Sequence, residues 1–123
     1  MNYDNLKFPK QGKKKRKKLK PGKYPCERQK ESIIPGDKKG RCYICGSHAN
    51  IQNHHIFFGN SNRKNSDYCG LTVHLCLEHH KEGKMSAHKN REVDYRLRQI
   101  AQRAFEREHG SREQFMKIFG ENC

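Results

Sequence analysis

The chain has 123 residues, of which 32% are hydrophobic and 33% charged, and it contains no Trp. That length allows one domain and a tail, and so little apolar material does not fold comfortably without a staple. A net charge of +14 directs the chain towards a polyanion, nucleic acid ahead of an anionic membrane surface, and no apolar run is long enough to span a bilayer.

Residues 1–40 carry 14 of the 27 Lys and Arg but 4 of the 13 acids, a local net charge of +10. The block Lys13, Lys14, Lys15, Arg16, Lys17 and Lys18, together with Pro21, Pro25 and Pro35, predicts a disordered basic arm that binds phosphates non-specifically. No h-region of a signal peptide follows Met1, so the expected setting is the cytoplasm, with the six cysteines reduced. Paired cysteines beside histidines then read as metal ligands.

The folded unit is expected over 41–123. Arg41 to Gly46 has the form of a zinc knuckle, Cys42-x-x-Cys45 followed by a glycine for the turn. Ile51 to Phe58 predicts a first strand, and Gly59 to Asp67 reads as turn chemistry. Leu71 to Leu75 alternates apolar and polar residues and predicts a second strand, with the chain turning helical from about Leu77 to Lys81. Val93, Leu97, Ile100, Ala101 and Ala104 recur at helical spacing, widened by Tyr95 and Phe105, and predict a helix over about 90–109. Gly110 ends it, Ser111-x-x-Gln114 forms a capping box for a helix over about 112–119, and Gly120 stops that one. Both helices are expected to pack on the Cys- and His-rich unit as its core.

Cys42, Cys45, Cys76 and His79 form C-x2-C-x30-C-x2-H, two knuckles that suit a closed tetrahedral zinc site. Cys26, Cys69 and Cys123 have no near partner in sequence and read as bystanders, as do His48 and His74. With His79 committed to zinc, His54, His55, His80 and His88 remain, enough for a second ion.

Asn53-His54-His55-Ile56, the turn-rich connection, Leu71 to Cys76 and Cys76-x-x-His79-His80 resemble the HNH (His-Me finger) nuclease family. The resemblance covers roughly Arg41 to His88. It implies a small α+β fold, a ββα-metal finger with an auxiliary zinc site packed against C-terminal helices. It also implies metal-dependent hydrolysis of DNA phosphodiester bonds, leaving 5′-phosphate and 3′-hydroxyl ends. By that resemblance His55 is the general base, His54 and His80 hold the catalytic cation, and His88 is a third ligand. Lys84 occupies the alternative helical position, where it would contact phosphate. The chain departs from the family where a middle Asn should orient the base: Tyr68-Cys69-Gly70-Leu71 has none, so Asn65, Asn62 or a backbone carbonyl would serve. Arg63 and Lys64 are the expected phosphate clamps. Imidazole ligands favour zinc or nickel, whereas the family commonly works with magnesium or manganese. The layout also looks like small phage and prophage nucleases of the recombination-enhancement type, which implies a recombinase or another DNA-processing protein as partner. The competing function is a non-catalytic zinc-binding nucleic-acid module.

Overall fold

The computed structural model describes residues 26–59 and 61–123; the basic block at 13–18 lies outside them. Strand β1 (Ile51–His55) pairs antiparallel with β2 (Thr72–Cys76), in a register that sets Ile51 opposite Cys76 and His55 opposite Thr72. Because side chains alternate across a strand, Gln52 and His54 share a face with Leu75 and Val73. Asn53 and His55 share the other with His74 and Thr72. The architecture is a small α+β unit built on this two-stranded sheet.

The first strand ends at His55, short of the expected Phe58. Ile56 and Phe57 are consecutive and both fully buried, which a strand with one solvated face cannot accomplish. The chain bends instead, and the Ser66 hydroxyl clamps the bend by accepting from Phe57 N (3.1 Å) and donating to Phe57 O (2.7 Å).

Ser66 belongs to a helix where turns were expected. Helix α1 spans Asn62–Cys69 and closes on Gly70, whose φ of 72° is the left-handed cap conformation. Asn, Ser and Asp carry little helix propensity, so tertiary contacts hold this helix. Asn62 Nδ2 donates to Phe119 O and Asn65 Nδ2 to Ile118 O, while Ser66 and Cys69 are buried. A Cβ on Gly70 would also meet Gln29 Cγ and Ile33 Cγ2 at 3.0 Å, so this close approach needs glycine.

Those two neighbours belong to a segment expected to lie in the arm. Residues 26–40 pack on the sheet and on the end of α1. Gln29 N donates to Tyr68 O, Ile33 N to Gly70 O, and the Ser32 hydroxyl to Thr72 O. Ile34 is buried, and the Asp37 carboxylate receives both His74 N (2.8 Å) and His74 Nδ1 (2.7 Å). The packed unit therefore starts at least as early as Cys26 rather than at 41. Cys26 and Cys69 are joined by a disulfide across 43 residues, so neither is a bystander and this pair is not reduced.

After β2 the helix of the expected finger is a single π-helical turn, Glu78–Glu82. Ala87 N donates to His79 O and His88 N to His80 O, folding the next segment back along that turn. Helix α2 (Arg91–Glu108) starts on Asn90, whose side chain accepts from Glu92 N and Val93 N and donates to Lys84 O. Helix α3 (Arg112–Phe119) opens with the expected capping box of Ser111 and Gln114. Phe57 meets Phe115 and Phe119 at centroid distances of 5.2 and 4.7 Å, and Phe105 lies 5.4 Å from Phe115. This aromatic cluster buries the residue two positions after His55 between the C-terminal helices, which fixes the end of β1 in space. Among the described residues no helix is long and apolar enough to cross a membrane.

Candidate metal centres

Cys42, Cys45, Cys76 and His79 converge, with their four ligand atoms all within 4.8 Å of one another. The knuckle loop is closed by Gly46 N to Cys42 O (2.9 Å) and Cys42 N to Ser47 O (2.8 Å), and Tyr43 N docks it on His74 O of β2. Cys76 ends β2, and the π-turn brings His79 back beside it. Cys45 Sγ lies 3.8 Å from Cys76 Sγ, Cys42 Sγ 3.8 Å from His79 Nδ1, and Cys76 Sγ 3.3 Å from His79 Nδ1. A tetrahedral zinc with bonds of about 2.3 Å to sulfur and about 2.0 Å to nitrogen has edges of about 3.5 to 3.8 Å. The four residues can thus hold a metal such as zinc. Burial, followed by the neighbouring Cys42 thiol, pushes the Cys76 thiol up to about 11. Burial also raises Cys42, but backbone hydrogen bonds at Cys45, Cys76 and Ile44 outweigh it and leave that thiol below its ordinary value.

The second group is His54, His80 and His88, again with ligand atoms within 4.8 Å of one another. Each comes from a different place: His54 from the buried face of β1, His80 from the π-turn, and His88 from the segment folded back on that turn. The His88 N to His80 O bond explains why residues eight apart meet. His80 Nε2 and His88 Nε2 are 3.2 Å apart, close to a tetrahedral nitrogen edge. His80 Nδ1 donates to Gln52 Oε1 at 2.5 Å, which turns Nε2 and its lone pair inward. His54 is 1% exposed, and its Nε2 is buried with no hydrogen-bond partner among the described residues. A buried polar atom without a partner costs about 1–3 kcal/mol, and a metal ion at this point removes that cost. Burial, then the His80 and His88 imidazoles, pushes His54 down to about 3; burial and His88 push His80 down to about 4. Both rings are therefore neutral at ordinary pH, the form in which imidazole ligates.

His55 stands outside this cluster but near it, because its charge is felt by both His54 and His80. It projects to the opposite face of β1, where its Nε2 lies 3.7 Å from Asp67 Oδ1. Burial lowers the His55 pKa and Arg63 lowers it further, against the opposing pull of Asp67. Arg63 and Asp67 are four apart on α1, so one helix face presents both to the imidazole. Asp67 is held in turn by Arg28 Nη2 at 3.3 Å. Neither Asn62 nor Asn65 orients His55, since both side chains fasten α1 to the end of α3.

Arg63 and Lys64 lie exposed on α1 rather than in a loop, and Lys84 is exposed beyond the π-turn. His74 joins neither metal group, yet it is not incidental: the Asp37 carboxylate that fixes it is 2% exposed. His48 lies on the surface, its Nδ1 3.3 Å from Gly40 O. Sequence reasoning missed Asp67 and Gln52. Asp67 became recognisable once 62–69 was helical and Arg63 fell four residues before it. Compared with protein-family models, with curated proteins and with solved structures, the chain matches none.

Proposed function

We propose that the chain is a metal-dependent endonuclease of HNH type that hydrolyses DNA phosphodiester bonds. The carrying observation is the inward-facing trio of His54, His80 and His88 around a His54 Nε2 that has no partner among the described residues, with His55 beside but outside it. A pure binding module needs the zinc knuckles and the basic charge, not a second set of convergent imidazoles. The sheet and the π-turn act as an abbreviated ββα-metal finger. The Cys42, Cys45, Cys76 and His79 group serves as its structural zinc site.

His54, His80 and His88 would hold the catalytic divalent cation, which supplies charge neutralisation at the phosphate and at the departing 3′ oxygen when bound. His55 is the general base. Its Nε2 faces Asp67, leaving Nδ1 to take the proton of the attacking water, and the carboxylate steadies the resulting imidazolium. Arg63, exposed beside His55, contacts the phosphate, and the basic block at 13–18 supplies salt-sensitive affinity for the rest of the strand.

Supercoiled plasmid incubated at low salt with magnesium, manganese, nickel or zinc should be converted to relaxed circles by at least one ion, and EDTA should stop the conversion. Tight, salt-sensitive binding with no relaxed circles under any of the four ions would overturn the enzyme and favour the zinc-binding module.

A further inference from the structure

Phe58 follows two residues that turn fully inward, yet its own ring is 39% exposed. Isolated exposed apolar residues are ordinary. What distinguishes this one is its place and its backing. The ring lies at the rim of the histidine trio, with centroids 5.2 Å from His88 and 6.1 Å from His54. The Arg98 guanidinium carbon sits 5.0 Å from the Phe58 centroid and 5.3 Å from that of Phe57. Arg98 is itself immobilised: Nε pairs with Asp94 at 3.0 Å, and Nη1 reaches both oxygens of Glu121 at 2.8 Å. Phe58 is thus an aromatic surface held against a fixed cation, partly open to solvent, beside three candidate metal ligands.

A flat, fixed aromatic face next to a phosphate-handling centre is the arrangement on which an unpaired nucleobase stacks, and such stacking tolerates any base. A base inside a duplex already has stacking partners, and extracting it costs several-fold to several-hundred-fold in affinity. We propose that Phe58 is a stacking platform for an unpaired DNA base flanking the phosphate cut at the histidine trio, so that the substrate is single-stranded or locally unpaired DNA. This rests on the nuclease reading above and adds the class of DNA strand to it. The excess of Lys and Arg supplies attraction to any strand, whereas Phe58 discriminates between strands.

The chain has no Trp, so Phe58→Trp in the full-length protein places the sole indole at the platform. Titration with a single-stranded oligothymidylate, without added divalent ion, should quench its fluorescence. A duplex of equal phosphate concentration should quench it far less. In cleavage assays Phe58→Ala should weaken use of an intact single strand by about tenfold. That difference should vanish when the nucleotide flanking the cut is abasic. Equal quenching by both strand types, or an equal Phe58→Ala loss on intact and abasic strands, would overturn the platform and reduce Phe58 to a packing support for His88. Cutting without selective quenching leaves the nuclease and removes the platform. Selective quenching with no cutting under any ion keeps the platform and removes the nuclease.

Discussion

Replacing Cys76 with Ser is expected to unfold the packed unit rather than merely loosen it. Cys76 is buried at the end of β2, 3.8 Å from Cys45 Sγ and 3.3 Å from His79 Nδ1, so it links the knuckle loop, the sheet and the π-turn. A structural zinc contributes on the order of 10 kcal/mol to folding in small zinc-binding units, against a total stability of about 5–15 kcal/mol for a typical domain. With 32% hydrophobic residues, the chain has little reserve to absorb that loss. The same turn positions His79 and His80, so both metal groups should fail together. Circular dichroism melting with metal analysis checks this. The wild-type protein should retain zinc and melt cooperatively, and the variant should do neither. A cooperative melt at an unchanged midpoint would mean that the four residues do not carry the fold.

Replacing His55 with Ala is expected to leave fold, zinc content and DNA binding in place while removing cutting. His55 lies outside both ligand groups and is half-buried on the face of β1 away from His54, so its loss breaks neither cluster. Loss of a positioned general base lowers a rate by about 10²- to 10⁴-fold. Single-turnover cleavage with the variant, beside its melting curve and its metal content, measures that directly. Undiminished cutting would remove His55 from the chemistry and shift attention to His74, the other imidazole fixed by a carboxylate on that face.

Much of this site was legible because its ligands are close in sequence and locally patterned. The two-residue spacers at Cys42, Cys45, Cys76 and His79 predicted one group; subtraction of His79 left His54, His55, His80 and His88, and the family resemblance separated His54, His80 and His88 as ligands from His55. The amphipathic stripe and the Ser111 capping box located α2 and α3, because each is a property of one segment. The features that escaped depend on contacts between segments. Helix α1 was hidden by its Asn- and Ser-rich composition, and it forms because α3 carbonyls accept from Asn62 and Asn65 and because Ser66 bridges Phe57. The Cys26–Cys69 disulfide spans 43 residues with no motif to announce it. Residues 26–40 looked like arm because of their charge and prolines, yet Ile34 and the Asp37 carboxylate are buried, the latter on His74 of the sheet. Asp67 could be assigned to His55 only after α1 existed.

The most direct single measurement is the rate of DNA nicking against added manganese for the wild-type protein and for His80→Ala, with zinc content matched between the two. His80 sits in the trio but not in the Cys-rich group, and Gln52 holds its ring so that Nε2 points inward. A saturable rise in rate for the wild type, flattened in the variant at equal zinc content, is the expected result. Identical manganese curves for the two proteins, or no nicking by either, would contradict a catalytic ion at His54, His80 and His88.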